Sequence, residues 1–398
     1  MTTAVIVDAV RTAGGKRNGK LSGWHPVDLA AETLKALAGR SDLDPSLVDD
    51  VIMGCVMQVG AQSVNVGRNA VLAAGWPESV PATTIDRQCG SSQQAVHFAA
   101  QGVMAGVYDV VVAAGVEVMS LVPMGASAMV PNVGVPFGTT VGERYAPVGG
   151  LVPQGISAEM VAARWDLSRE ALDGFGARSQ QRAERARAEG RFDSEIVPVV
   201  ARLRDKETGR VISSGEMLTS DEGIRAGTTP EILAKLKPAF KADGKVTAGN
   251  SSQITDGASA SLIMSEERAA SLGLTPRARF HSFSLAGVDP VTMLTGPIPA
   301  TQKVLERGKL TIDDIDLVEV NEAFASVVLA WEKDIHADLE RVNVNGGAIA
   351  LGHPLGSSGT KLLATLVHEL ERTGGRYGLQ TMCEGGGLAN AMVIERLG

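Results

Sequence analysis

The sequence predicts an α/β protein of two equivalent halves, with a long insertion carried by the first. Three observations predict it. Apolar, β-branched runs alternate with helix-spaced segments near both ends, which is the pattern of a largely parallel sheet. The two ends also echo each other, and between them, from Met119 to about Gln253, the texture changes.

Taken in order, Ala4–Val7 reads as a buried strand, 11–25 as a loop, and Pro26–Leu37 as a helix with an acidic first turn. Asp49–Val56 reads as a second strand and Asn69–Ala74 as a helix. The stretch Thr84-Ile85-Asp86-Arg87-Gln88-Cys89-Gly90-Ser91-Ser92-Gln93-Gln94-Ala95 leads into a small-residue helix, Ala95–Ala105, and Tyr108–Glu117 is a fully buried strand. Pro, Gly and Met then dominate up to Gln154. Charged helices over Ser157–Arg164 and Arg169–Glu189, a strand-like run Glu195–Val200 and a Lys-bearing segment Leu233–Lys245 follow. Alternation resumes with a cap at Thr311 and a strand ending at Val320. After it come a helix Ala323–Glu332, a strand Val342–Val344, a helix Thr360–Glu371, and strands Leu379–Met382 and Ala389–Ile394.

The repeat is legible in three places. Val107–Gly115 echoes Arg376–Gly385, Asp50–Val56 echoes Asp314–Val320, and the helix start at Cys89 echoes His353–Gly359. The first half lacks a partner strand until Ala258–Met264. Residues 119–253 are therefore expected to be an insertion lying over one face. The expected division is 1–118 plus 254–273, then 119–253, then 274–398.

A chain of 398 residues exceeds one ordinary core, and 44% apolar with 21% charged residues describes a globular protein with a large interior. A net charge of -8 argues against a general nucleic-acid or anionic-membrane binder. The three cysteines, Cys55, Cys89 and Cys383, form neither a disulfide framework nor a metal-ligand pattern, so no metal is expected. The start runs straight into a strand pattern, with no basic leader or long apolar segment, and a cytoplasmic protein is expected.

Four stretches carry residues suited to chemistry. Cys89 stands at a helix start, where backbone N–H groups favour an anion and a thiol is expected to ionise more readily. Gly346–Gly359 is a Gly-rich turn holding His353, and a Cys–His pair within reach is the usual source of a thiolate; the alternative is a histidine packed against Pro354. Cys383-Glu384-Gly385-Gly386-Gly387 follows a buried strand and offers backbone N–H groups to a ligand, with a second thiol suited to proton transfer; the alternative is an inert core thiol. Asn321, in Asn321-Glu322-Ala323-Phe324, either caps a helix or positions a water or a carbonyl oxygen. Cys55 reads as core.

Together these stretches resemble the thiolase family of acyl-CoA acyltransferases along the whole chain. Gln88-Cys89-Gly90-Ser91, Asn321-Glu322-Ala323-Phe324, Gly352-His353-Pro354 and Cys383-Glu384-Gly385 match its four active-site motifs in order. The resemblance implies the thiolase fold, two βαβαβαββ halves in five αβαβα layers with an inserted loop domain that binds coenzyme A. It implies that Cys89 attacks the keto carbon of a 3-oxoacyl-CoA, that His353 takes its proton and that Cys383 protonates the departing acetyl-CoA enolate. One oxyanion hole is implied at His353 with a water held by Asn321, the other at the N–H groups of Cys89 and Gly385. Coenzyme A enters as a substrate, with no permanently bound cofactor. Its implied contacts are Arg225, in Glu222–Gly227, with Ala248 and Ser252, in Ala248–Ser252. Met293 and Phe324 are implied in the acyl pocket, against ordinary core packing. A homodimer or homotetramer is implied as well.

The chain departs from the family's biosynthetic members in three places. Pro153-Gln154-Gly155 stands where they have a His-Met pair before Gly, Gln253 replaces a usual Gly, and Glu384 replaces a common Ile. These departures lean towards degradative thiolysis of branched or steroid-derived chains, over acetoacetyl-CoA synthesis. A ketoacyl synthase would need His or Asn at Cys383. A non-catalytic acyl-CoA or lipid carrier would have no use for Cys89, His353, Cys383 and Asn321 together.

Overall fold

The structure is a computed structural model and describes residues 2–398. Its main sheet joins two half-sheets of the same topology. In the first, strands run in the order Ala82–Ile85, Asp50–Gly54, Val110–Val118, Thr255–Ser265, Ala4–Thr12. In the second the order is Leu317–Val320, Tyr377–Glu384, Leu388–Arg396, Ala278–Gly287. A short antiparallel contact, Val5 with Arg279 and Ile6 with Ala278, links them.

The duplication has one register. Asp50 pairs with Val111, and Leu317 pairs with Gly378, so both members are displaced by 267. The same shift relates Asp49, which accepts from the N–H groups of Asp109 and Val110, to Asp316, which accepts from Arg376 and Tyr377. It relates Ser91, where the helix Ser91–Met104 begins, to Ser358, where Ser358–Thr373 begins. The echoes expected from sequence were thus right in kind and misplaced by two or three residues. Buried apolar runs look alike at neighbouring registers, whereas the aspartate caps do not.

The layers follow from which faces are apolar. Helices Ser91–Met104 and Ser358–Thr373 pack between the half-sheets, with Ala95, Val96, Ala99, Ala100 and Val103 of one and Leu363, Leu366, Val367 and Leu370 of the other in a single buried cluster. Small side chains facing large ones let the two helices approach closely. Helix Pro26–Arg40 and helix Val66–Ala73 cover the outer face of the first half-sheet, and helices Pro297–Gly308 and Ala325–Ile335 that of the second. The result is five αβαβα layers, the thiolase fold.

Several elements differ from expectation. The first strand runs on to Thr12, because the buried Arg11 guanidinium meets two carboxylates, Glu195 at 2.6 Å and Asp221 at 2.8 Å. Val342–Val344 is not a strand. Only Val342 bridges to Val318, since Asn343 turns into the left-handed region at φ 48° and uses its side-chain amide on Val320 N and O instead. Cys383 lies inside the strand Tyr377–Glu384 rather than after it. Residues 119–254 connect two strands that are antiparallel neighbours, Val110–Val118 and Thr255–Ser265. No helix among the described residues is long and apolar enough to cross a membrane.

Candidate active site

Cys89 is placed by a turn that holds itself shut. Gln88 sits at φ 48°, a strained position for a residue with a side chain. Ser91 locks it, accepting from Arg87 N at 2.9 Å and donating to Gln88 O at 2.6 Å. The cysteine projects just ahead of the helix, beside Leu355, Leu362 and Met382 in one small apolar cluster. Burial pushes its thiol up to about 12, and the charges of Glu384 and Asp86 add to that. Its own backbone N–H and the Gln154 amide act in the opposite sense and lose. Against the expectation of a readily ionised thiol, desolvation is the largest influence on the resting sulfur.

His353 is built to be a neutral base. Its backbone N–H donates to Thr255 Oγ1 at 3.2 Å, and a Cβ on Gly352, at φ 83°, would lie 2.1 Å from that same oxygen. Only glycine fits there. On the ring, Nδ1 lies 2.5 Å from Ser358 Oγ, whose single proton is committed to Pro354 O at 2.8 Å. Ser358 must therefore accept from Nδ1–H, which leaves the lone pair on Nε2. Asn321 Nδ2 points at that nitrogen from 3.3 Å. Burial, with help from the Lys361 cation, lowers the imidazole to about 3, so it stays uncharged.

Asn321 follows the strand Leu317–Val320, and the next helix is capped by Phe324. The capping alternative is thereby excluded, and the amide faces His353. Its neighbour Glu322 holds the histidine's loop, accepting from Ser179 Oγ at 2.6 Å, Asn343 Nδ2 at 3.0 Å and Ile349 N at 3.1 Å. Lys361, lowered to about 8 by burial and the Arg11 charge, donates to Gly352 O at 3.0 Å. Ser358, Glu322 and Lys361 were missed from sequence. Their only signal was polarity inside an otherwise buried stretch.

Cys383 is buried with Met293, Phe324 and Ala389. Burial drives its thiol up, and Cys89 and Glu384, when ionised, add to that. Gly385 lies against the nucleophile turn, its Cβ position 3.0 Å from Gln88 Oε1.

Arg225 and Ala248, both exposed, line one groove with Gln180, Thr228, Gln253 and Ile349. Ser252, half-buried, is zipped to the Asn321 turn through its N–H to Ala323 O at 2.9 Å. Phe324 meets Phe240 edge-to-face at 5.9 Å. Met293 and Phe324 thus lie in the same buried cluster as Cys383, while Arg225 and Ala248 border a separate small groove. Among the described residues no cluster of side chains is suited to hold a metal ion.

Two family patterns cover nearly the whole chain: the thiolase N-terminal domain matches residues 4–267 and the thiolase C-terminal domain residues 274–396. A steroid 3-ketoacyl-CoA thiolase of Mycobacterium tuberculosis is 51% identical over 403 residues, covering 100% of this chain and 95% of that protein. A beta-ketoadipyl-CoA thiolase of Escherichia coli is 46% identical over 410 residues, with 100% of both covered. Among solved structures, the Bacillus anthracis acetyl-CoA acetyltransferase superposes with a TM-score of 0.88 at 41% identity, covering 100% of this chain and 99% of that one.

Proposed function

The chain belongs to the thiolase family, and from that premise we infer that Cys89, His353, Cys383 and Asn321 carry its CoA-dependent cleavage of 3-oxoacyl-CoA. The observation behind this reading is the meeting of turns far apart in sequence: Asn321 faces the Ser358-oriented His353, and Cys89 packs in one cluster with Leu355, two residues on from that histidine. Cys89 Sγ attacks the keto carbon while its proton passes to His353 Nε2. A thiol held this high and a base held this low exchange that proton as the bond forms, not before it. Charge develops on the keto oxygen. The new imidazolium N–H and a water on Asn321 form one donor set, and the N–H groups of Cys89 and Gly385 form the other. The C–C bond breaks, the acetyl-CoA enolate takes its proton from Cys383, and the shortened acyl group stays on Cys89. A second CoA thiol gives its proton to the Cys383 thiolate, attacks that thioester and releases acyl-CoA, while the expelled Cys89 thiolate recovers its proton from His353. Run backwards, the same steps make a Claisen condensation.

Arg225, Ala248 and Ser252 hold the CoA in the groove they border, and Met293 and Phe324 shape the acyl pocket. Pro153-Gln154-Gly155, in place of the biosynthetic members' His-Met pair before Gly, and the likeness to a steroid 3-ketoacyl-CoA thiolase favour degradation of branched or steroid-derived chains. The protein works as a homo-oligomer in the cytoplasm, where its three free thiols stay reduced.

Thiolysis of 3-oxoacyl-CoA substrates, from acetoacetyl to steroid side chains, tests the reading, with Cys89→Ala as control. Removing the nucleophile is expected to lower kcat by about 10⁴-fold or more. Activity confined to acetoacetyl-CoA would sink the degradative preference, and an active Cys89→Ala enzyme the nucleophile assignment.

A further inference from the structure

The internal two-fold relates two buried glutamates at the ends of matching strands, Glu117 and Glu384, displaced by the same 267 residues as the strand pairs. Glu117 reaches across the molecule into the turn of the other half, where it accepts from Gly356 N at 2.9 Å. Val56 N, Met57 N and the Gln62 amide satisfy its remaining lone pairs. The residue equivalent to Gly356 is Cys89. Glu384 should therefore reach into the nucleophile turn, and it does: a Cβ on Gly90 would lie 2.0 Å from Glu384 Oε1 and 2.9 Å from Asn390 Nδ2.

The two glutamates differ in what they find. Glu384 is fully buried, and neither of its oxygens has a hydrogen-bond partner among the described residues. Asn390 Oδ1, on the adjacent strand, is also without one, while the Asn390 amide donates to Gly90 O at 3.1 Å. Three buried acceptors, the two Glu384 oxygens and Asn390 Oδ1, are thus left without a donor among the described residues. An ionised carboxylate there is costly, whereas one proton makes Glu384 both neutral and a donor. The titratable groups around it are few. Cys383 is its neighbour on the strand, and the turn packed against it brings Asp86, Arg87 and Cys89. The adjacent strand contributes only the Asn390 amide, and the first helical turn, Ser91–Gln94, carries no charge. Burial raises the Glu384 carboxyl to about 8 and Asp86 adds to that, against the single opposing cation of Arg87.

We propose that Glu384 sits protonated beneath the nucleophile turn as a positioning residue for Cys89, permitting the thiolate while neutral and opposing it once ionised. The proposal rests on Cys89 being the nucleophile.

The test is the rate of iodoacetamide alkylation at Cys89, followed by peptide mapping in wild type and Glu384→Gln from about pH 6 to about pH 10. Iodoacetamide does not titrate, so each rate tracks the thiolate. The rate ratio, variant over wild type, is expected to climb about tenfold through the range around pH 8, equivalent to one unit of pKa on the thiol. A ratio flat across the range, whether near one or already high at the acid end, overturns the proposal. It would mean that Glu384 is only packing, or is ionised throughout. Failure of Cys89 to alkylate ahead of Cys55 and Cys383 in wild type sinks the nucleophile assignment and the proposal with it. Wild-type enzyme alone supplies a second reading. The infrared carbonyl band of a buried protonated carboxylic acid should be present at neutral pH and disappear on raising the pH, and its absence at neutral pH overturns the proposal.

Discussion

At the scale of single residues, burial holds Cys89 as a thiol and His353 as a neutral imidazole, so the proposed reaction creates an ion pair that the resting site lacks. Ser358 then matters more than its bland chemistry suggests, because with the Asn321 amide it decides which imidazole nitrogen carries the lone pair. Ser358→Ala frees the ring to adopt the other tautomer. It is expected to lower kcat by about tenfold to a hundredfold, part of what a general base contributes, with KM for acyl-CoA little changed. An unaltered kcat would show that the tautomer is fixed elsewhere. The family motifs were legible because a cysteine, a histidine and glycines at fixed spacing are distinctive. Ser358 and Glu322 were not, since a serine at a helix start and an acid beside Asn321 look alike whether they cap, pack or orient.

At the scale of elements, the two central helices set the distance between the Cys89 and His353 turns. Their first turns touch backbone to backbone: a Cβ on Gly359 would lie 2.0 Å from Gln93 N and 2.7 Å from Gln93 Cα. Polar side chains stitch the contact, with Thr360 N donating to Ser92 Oγ at 3.0 Å and the Gln380 amide bridging Gln93 and Gly359 O. Gly359→Ala has no flexible side chain to push aside and must separate the helices. A loss of about 3 kcal/mol or more is expected, read as a lower urea midpoint, together with lost activity. A variant within about 1 kcal/mol of wild type would show that the helices shift without cost. The strands and helices around this contact were readable from periodicity. The register of the repeat was not, because it is fixed by caps such as Asp49 and Asp316 whose partners lie about sixty residues away.

At the scale of the whole molecule, one part of the chain has too little to pack against. The short helix Thr139–Tyr145 buries none of its residues, and nearby Met129, Val133, Val135, Phe137 and Val148 are more than half exposed. The strand Ala82–Ile85, which leads into the Cys89 turn, ends its half-sheet, with no further strand beyond it among the described residues. The matching edge of the other half is closed by Val342 bridging to Val318. An open edge and an uncovered apolar segment on one half are both features that association removes. A second copy pairing along Ala82–Ile85 would also brace the turn that strains Gln88 and presents Cys89. Light scattering at micromolar concentration is expected to give at least twice the mass of one chain. Replacing Phe137 and Val135 together with serine should shift the population towards smaller species, or loosen the assembly measurably on dilution. Wild-type protein that stays monomeric and fully active under those conditions would remove the edge strand and the segment from the working enzyme.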